Sequence, residues 1–163
     1  MNQDRDTIMK SQENLKKYKY MQAALQEAIK AEQKDEVPVG AVVVYHDKII
    51  ARAHNLRETK QSFEAHAEFL AMKKAAKKIG SWRLEDCDVY VTMEPCPMCA
   101  GAMIQARIRS LFYAARDSKA GVVDSVMNLF EYPFNHKINV ESGLLADESK
   151  EIVQRFFKKL RTK

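Results

Sequence analysis

The chain has 163 residues, of which 46% are apolar and 30% are charged, and its formal net charge is +5 at pH 7. This length and apolar content fit a single domain with a hydrophobic core and exclude an intrinsically disordered chain. The sequence contains neither a membrane-spanning apolar segment nor a secretion signal, so we expect a cytoplasmic protein with no membrane partner.

The first third of the chain predicts a helix followed by a β-hairpin. Residues 1–10 are polar and of mixed charge, and we expect them to form a flexible tail ahead of one domain over residues 11–163. Apolar side chains recur at helical spacing over residues 11–33. The β-branched run 39–45 and the segment 49–53 predict two strands joined by a polar turn.

The rest of the chain predicts alternating helices and strands. We expect a polar loop over residues 54–64 and a helix over residues 65–79 that ends at Gly80. Further strands are predicted over residues 88–93, 110–115 and 137–140, and further helices over residues 97–106, 125–130 and 147–160. Successive strand–helix units favour parallel pairing, so we predict an α/β fold, a three-layer α/β/α sandwich on a five-stranded mixed sheet.

Two short motifs predict a catalytic zinc site. The first is His66-Ala67-Glu68, and the second places Cys96 and Cys99 two residues apart behind Glu94-Pro95. Two thiolates and one histidine leave a fourth position of a tetrahedral ion open to water, which is typical of catalytic rather than structural zinc. An odd number of cysteines with one close pair also favours metal binding over disulfides.

The spacing of these motifs places them at helix starts. Residues two apart point to nearly opposite faces of a helix, so His66 and Glu68 can share a site only at its first turn. Cys96 and Cys99 follow a predicted strand at the start of the next helix, where the helix N-terminus favours thiolates. Glu68 would move protons between the attacking water and the substrate ring, a pattern typical of zinc nucleobase deaminases.

A structural zinc site is the alternative for these residues. It would need a fourth protein ligand, and Cys87 is the only cysteine left to supply one. Cys87 lies at the start of a predicted strand and is expected to be a buried small apolar residue.

Beyond these motifs, the chain resembles the bacterial tRNA-specific adenosine deaminases, which are members of the cytidine deaminase-like superfamily. The resemblance covers the chain from about residue 20 to residue 160. It is carried by residues 36–42, 66–68, 80–84, 94–103, 115–117, 127–129, 134–136, 143–148 and 156–157.

This resemblance implies a homodimer that converts the wobble-position adenosine of a tRNA anticodon loop to inosine and releases ammonia. It implies one Zn²⁺ per subunit, held by His66, Cys96 and Cys99, with Glu68 as the proton carrier. It also implies substrate-binding residues, namely Asn55 at the flipped adenine and, near the anticodon stem-loop, Asp117, Asn135, His136, Phe157 and Arg161.

The chain departs from the family pattern at three positions. Phe63 and Glu64 stand where members often carry a small residue or Pro-Thr, and Asp124 stands where they usually carry Gly. Pro97 and residues 112–115 are shared with guanine deaminases, so a deaminase of guanine or of another free base or nucleoside is the alternative function. A non-catalytic RNA-binding module is a third hypothesis, against which Glu68 argues, because binding alone needs no proton carrier.

Overall fold

A five-stranded mixed sheet forms the centre of the computed structural model, which describes residues 2–162; Met1 and Lys163 lie outside them. Its strands are Gly40–Tyr45 (β1), Lys48–His54 (β2), Cys87–Met93 (β3), Ser110–Ala115 (β4) and Asn139–Ser142 (β5). The strand order is β2-β1-β3-β4-β5. β1 runs antiparallel to β2 and β3, whereas β3, β4 and β5 run parallel, so the mixed sheet predicted from the sequence is confirmed.

Helices cover both faces of this sheet. They are Asn2–Gln33 (α1), Arg57–Lys60 (α2), Ala67–Ile79 (α3), Pro97–Ala106 (α4) and Ala146–Arg161 (α5). α1 and α5 pack on one face and α3 and α4 on the other, which confirms the α/β/α sandwich. Within residues 2–162, no helix combines the length and the apolar character needed to cross a membrane.

Strand β1 separates two hydrophobic cores. Successive side chains of a strand point to opposite faces of its sheet. Val42 and Val44 therefore pack in one core with Met21 of α1, while Val43 lies in the other with Ala71 of α3. The apolar run that predicted this strand is thus explained by burial on both faces.

Helix α1 approaches the sheet most closely at Gly40. A Cβ atom at Gly40 would lie 2.0 Å from the carbonyl oxygen of Ala24 and 2.4 Å from the backbone nitrogen of Ala28. Only glycine leaves room for this contact. On the same face, α1 is linked to α5 by an ion pair between Glu32 and Arg155, with a distance of 2.7 Å.

The structure differs from the sequence predictions at four places. α1 begins at Asn2 and not at residue 11, so residues 2–10 are helical where a tail was expected. No Gly or Pro interrupts this segment. Its side chains from Gln3 to Lys10 are exposed. The predicted loop over residues 54–64 contains the one-turn helix α2.

The other two differences lie beyond β4. The helix predicted over residues 125–130 is wrong, because the chain there forms turns and a 3₁₀ helix only at Leu129–Glu131. Its backbone N–H groups bind partners outside the segment, because Ser125 donates to the Glu94 carboxylate and Leu129 donates to the carbonyl oxygen of Val122. The last strand begins at Asn139 and not at residue 137, because pairing with β4 starts there.

Candidate active site

The predicted metal ligands lie at the starts of two helices. His66 is the residue before α3, and Cys96 is the residue before α4; both have extended backbone conformations. Pro97 occupies the first turn of α4, where its missing N–H costs no hydrogen bond. Both helix N-termini therefore face one point at the end of the sheet, as the motif spacing predicted.

The three ligand atoms form a compact cluster. The Nδ1 atom of His66 lies 3.6 Å from the Sγ atom of Cys96 and 3.5 Å from that of Cys99. All three atoms lie within 4.8 Å of one another. A tetrahedral zinc ion, with its usual bond lengths to nitrogen and sulfur, separates such ligands by about 3.5 Å. The geometry and the donor set therefore both fit zinc.

The two thiols of the cluster differ in acidity. The hydrogen bond with Cys99, reinforced by His66, lowers the pKa of Cys96 to about 4. The same hydrogen bond, together with burial, raises the pKa of Cys99.

Glu68 lies in the first turn of α3 and lines a cavity beside the cluster. Its side chain is only 4% exposed. Burial raises the pKa of Glu68 to about 7, although its own backbone N–H and His66 act in the opposite direction. A carboxyl group with these surroundings can both accept and release a proton.

The cavity has a volume of about 660 Å³. This is enough for a nucleobase with part of its sugar, since small-molecule sites span about 300–1,000 Å³. Besides His66, Glu68 and Cys96, three further parts of the chain line the cavity. They are Asn55 with Arg57, the loop of residues 116–120, and Val153 with Phe157 on the side of α5.

One wall of the cavity is fixed through Asn55. Its side-chain amide donates to the carbonyl oxygen of Val37 at 3.2 Å, and its Oδ1 atom accepts the N–H of Arg57 at 3.1 Å. The next residues, α2, are held by Glu36, a residue 1% exposed whose carboxylate accepts the N–H groups of Glu58 and Thr59. Sequence analysis missed both Glu36 and Arg57.

The opposite wall is the loop of residues 116–120. Within it, the Asp117 carboxylate accepts the N–H groups of Lys119 and Ala120, each at 3.1 Å. The loop continues to Ser125, and its backbone N–H groups converge on Glu94. Sequence analysis did not predict this role of Glu94. The available signal was an acidic residue at the end of an apolar strand, but its hydrogen-bond partners could not be identified because they are distant in the chain.

A second cavity of about 470 Å³ adjoins the first. Phe157, Val153 and Lys119 line both, and Arg161 borders the second. Phe157 is 42% exposed, whereas Phe156 is buried in the core. The structure therefore brings Asn55, Asp117, Phe157 and Arg161 to one continuous surface around the metal cluster.

Asn135 and His136 lie elsewhere. His136 donates from Nε2 to the carbonyl oxygen of Ile108 at 2.7 Å, and neither residue lines the two cavities.

Of the three departures from the family pattern, Phe63 is 83% exposed and Glu64 pairs with Lys73 at 3.8 Å. Asp124 accepts a hydrogen bond from the Tyr113 hydroxyl group.

Known proteins are similar to this chain over most of its length. The family model for MafB19-like deaminases matches residues 15–161. The chain is 51% identical over 145 residues to the tRNA-specific adenosine deaminase of Bacillus subtilis (strain 168), covering 88% of this chain and 90% of that protein. It is 44% identical over 143 residues to the protein of the same name from Aquifex aeolicus (strain VF5), covering 87% of this chain and 94% of that protein.

Two solved structures bear on the choice between substrates. One comes from a study of A-to-I editing by tRNA:A34 deaminases at the wobble position of transfer RNA; it has a TM-score of 0.80 and 45% identity, and covers 82% of this chain and 97% of its own. The other is a guanine deaminase from Nitrosomonas europaea, with a TM-score of 0.75 and 26% identity, and it covers 85% of this chain and 83% of its own.

Proposed function

This chain belongs to the tRNA-specific adenosine deaminases, and on that premise we propose that it hydrolyses the wobble-position adenosine of a tRNA anticodon loop to inosine and ammonia. One observation carries the proposal. The His66, Cys96 and Cys99 cluster and Glu68 meet in a cavity that opens onto a second cavity bordered by Lys119 and Arg161. Deaminase chemistry and a surface for a polyanion are thus adjacent.

His66, Cys96 and Cys99 are the residues proposed to hold one Zn²⁺ per subunit. Bound there, zinc would supply a Lewis acid that activates water at neutral pH. Glu68 accepts a proton as the water oxygen adds to C6 of adenine, and it delivers that proton to N1. It then carries the remaining hydroxyl proton to the exocyclic amine, so that the C6–N bond breaks, ammonia leaves and a carbonyl group forms.

The surface around the cluster supports binding of a splayed RNA loop. Asn55 is held rigidly by Val37 and Arg57, which supports its proposed contact with the flipped adenine. The exposed ring of Phe157 offers a surface for a neighbouring base. Lys119 and Arg161 beside it are suited to phosphate groups, and Asp117 shapes the loop between the two cavities.

A homodimer is part of the proposal. Asn135 and His136 line neither cavity of their own chain, which favours a second subunit as the place where they contribute to the RNA site. The segment before them exposes Val126, Tyr132 and Phe134, apolar side chains of the kind that interfaces cover. Light scattering at micromolar concentration should give twice 18.7 kDa, and a fully active monomer would contradict the dimer.

The product formed from total tRNA tests the function. Purified protein is incubated with total tRNA, free guanine and free adenosine in parallel, and inosine in tRNA and released ammonia are measured. We expect inosine at the wobble position and no ammonia from guanine. Ammonia from guanine without inosine in tRNA would establish the alternative function, a guanine deaminase. The 26% identity to a guanine deaminase supports that alternative less than the 51% identity to a tRNA-specific adenosine deaminase supports the proposed function.

The site of action is expected to be the cytoplasm, where tRNA is modified. This localisation stays a prediction, and fractionation of the source cells is the measurement that checks it.

A further inference from the structure

We propose that Glu94 is a positioning residue that fixes the shape of the substrate cavity by holding the loop of residues 116–125 against the turn that carries Cys96. This inference rests on the proposed function for its substrate, and it assigns to Glu94 a part in substrate binding and not in the chemical step. Three features of the structure carry it: the donors around the carboxylate, the loop segment between them, and the position of Glu94 in the chain.

The carboxylate of Glu94 is surrounded by donors from one loop. It accepts the N–H groups of Asp117 at 3.2 Å, Val123 at 3.0 Å, Asp124 at 2.8 Å and Ser125 at 3.0 Å, and also the Ser125 hydroxyl group. Two carboxylate oxygens offer about four lone-pair sites, so their capacity is filled. Glu94 is 3% exposed, and no water is needed to satisfy it.

These donors favour a charged carboxylate. A neutral amide in the same place would direct its own N–H groups at other donors, which leaves several buried N–H groups unpaired.

Gly121 shows how closely the loop surrounds this carboxylate. A Cβ atom at Gly121 would lie between 2.3 and 2.6 Å from the three atoms of the Glu94 carboxyl group. The neighbouring Val122 also donates its N–H to the carbonyl oxygen of Pro95 at 3.0 Å. The loop is therefore tied to both Glu94 and the residue after it.

The donors bracket the part of the loop that faces the cavity. Asp117 is bound at one end and residues 123–125 at the other. Between them, Ser118, Lys119 and Ala120 line the cavity, and Lys119 also lines the second cavity. Since both ends are held by one side chain, the position of this wall depends on Glu94.

Glu94 also lies two residues before Cys96, at the end of β3. The same short turn therefore carries a metal ligand and the anchor of the opposite wall. Because Glu94 and Cys96 are so close in the chain, the three residues from Glu94 to Cys96 determine the distance between the reacting centre and the substrate-binding wall. Precise sites need this kind of rigid support.

The test substitutes Glu94→Gln, with Glu27→Gln as the matched control. Glu27 is also a buried carboxylate, 4% exposed, but its partners are Lys30 and His54, and none of the three lines the cavity. For Glu94→Gln we expect one metal ion per chain, a KM for tRNA raised about tenfold and a kcat changed less than about threefold. For Glu27→Gln we expect an unchanged KM.

Hydrogen exchange gives a readout that does not depend on catalysis. The backbone N–H groups of Val123, Asp124 and Ser125 should exchange faster in Glu94→Gln, while those of α3 keep their wild-type rates. If Glu94→Gln does not fold, Ser125→Ala, which removes one donor, and Gly121→Ala, which crowds the carboxyl group, carry the same test. Both should raise KM and keep the metal.

Two results would overturn the proposal. One is an unchanged KM with unchanged exchange in the loop. The other is loss of metal and kcat together at constant KM, which would make Glu94 a support for the metal-binding turn only. If wild-type protein forms no inosine in tRNA, the proposed function fails, whereas the exchange rates still decide whether Glu94 holds the loop.

Discussion

The two sides of the cavity are built in different ways. On the metal side, His66 and Cys96 lie directly before regular helices, and backbone hydrogen bonds within α3 and α4 hold them. On the substrate side, the one-turn helix α2 and an irregular loop obtain part of their backbone hydrogen bonds from buried carboxylates, Glu36 for α2 and Glu94 for the loop.

This difference separates two kinds of requirement. Ligands of a metal ion need fixed distances, which regular elements provide, whereas a substrate surface must fit one partner and is commonly formed by loops on a rigid scaffold. A change on the metal side should therefore abolish the reaction, while a change on the substrate side should alter binding or local stability.

The largest effect is expected from Cys96→Ala. Loss of one of three ligands should reduce the metal content well below one ion per chain and bring tRNA deamination to background. Metal analysis of the purified protein is the measurement. Cys87→Ala is the control, because Cys87 is buried outside the cluster and should leave the metal content unchanged; full metal in Cys96→Ala would remove Cys96 as a ligand.

The second effect is expected from Glu68→Ala, which alters the proposed proton carrier and leaves the proposed metal ligands in place. General acid–base groups contribute about 10²–10⁴-fold, and a group that moves more than one proton should lie at the upper end. We expect kcat to fall by that factor with metal content retained. Glu64→Ala, a change at a half-buried residue of the preceding segment, should keep kcat; a Glu68→Ala protein within a few-fold of wild type would exclude the role.

Substitution of Lys158 and Arg161 by Gln tests the substrate side. Both lie in the last turn of α5 and face solvent. If they contact phosphate groups, the plot of log affinity for tRNA against log salt should lose about one unit of slope per contact.

The control for this pair is Lys77→Gln with Lys78→Gln, which also removes cations from the last turn of a helix. Any contribution of the cations to the helix dipole is then the same in both proteins. Equal slopes in the two double variants would mean that the cations of α5 only stabilise the end of their helix.

The smallest effect is expected from Glu36→Gln and depends on pH. Burial acts to raise the pKa of Glu36, but the N–H groups of Thr59 and Glu58 outweigh it and hold the pKa below 4.5. A group with a lowered pKa stabilises the fold above its unfolded pKa and loses that stabilisation as the pH falls through its folded pKa.

We therefore expect Glu36→Gln to be less stable by about 1.5–3 kcal/mol at pH 7, and this gap to narrow as the pH falls below the ordinary pKa of a glutamate. Urea unfolding of both proteins at several pH values measures it. The metal site is the same in both, so its own pH dependence cancels in the difference. A gap that does not change with pH would show that the charge of Glu36 is not what holds α2.

The metal side could be predicted from the sequence, and the substrate side only in part. The His66-Ala67-Glu68 and Cys96 to Cys99 spacings are local, so the helix starts and the cluster followed from them. The tie between Glu94 and Ser125 joins residues 31 apart in the chain, and no periodic pattern indicates it. The same holds for Glu36 and Thr59, whose contact turned a predicted loop into α2.

The remaining errors have similar causes. Residues 125–130 were predicted to be helical, but Ser125 donates to the distant Glu94 carboxylate and Leu129 to the carbonyl oxygen of Val122, so contacts outside the segment override local preference. The start of α1 was placed too late because polar, mixed-charge residues were taken to be flexible, although nothing in Gln3 to Lys10 opposes a helix. The substrate-binding roles of Asn135 and His136 come from resemblance alone and stay predictions.

Gly40 has a consequence for how this sequence can vary. Any side chain there would collide with the backbone of α1 at Ala24 and Ala28, so the helix would have to move away from the sheet. Because Glu32 of α1 is paired with Arg155, that displacement would reach α5 and, through it, Phe157 at the cavity. A mutational library that randomises Gly40 would thus report on substrate binding, although it is the neighbouring Val39 and not Gly40 that lines the cavity.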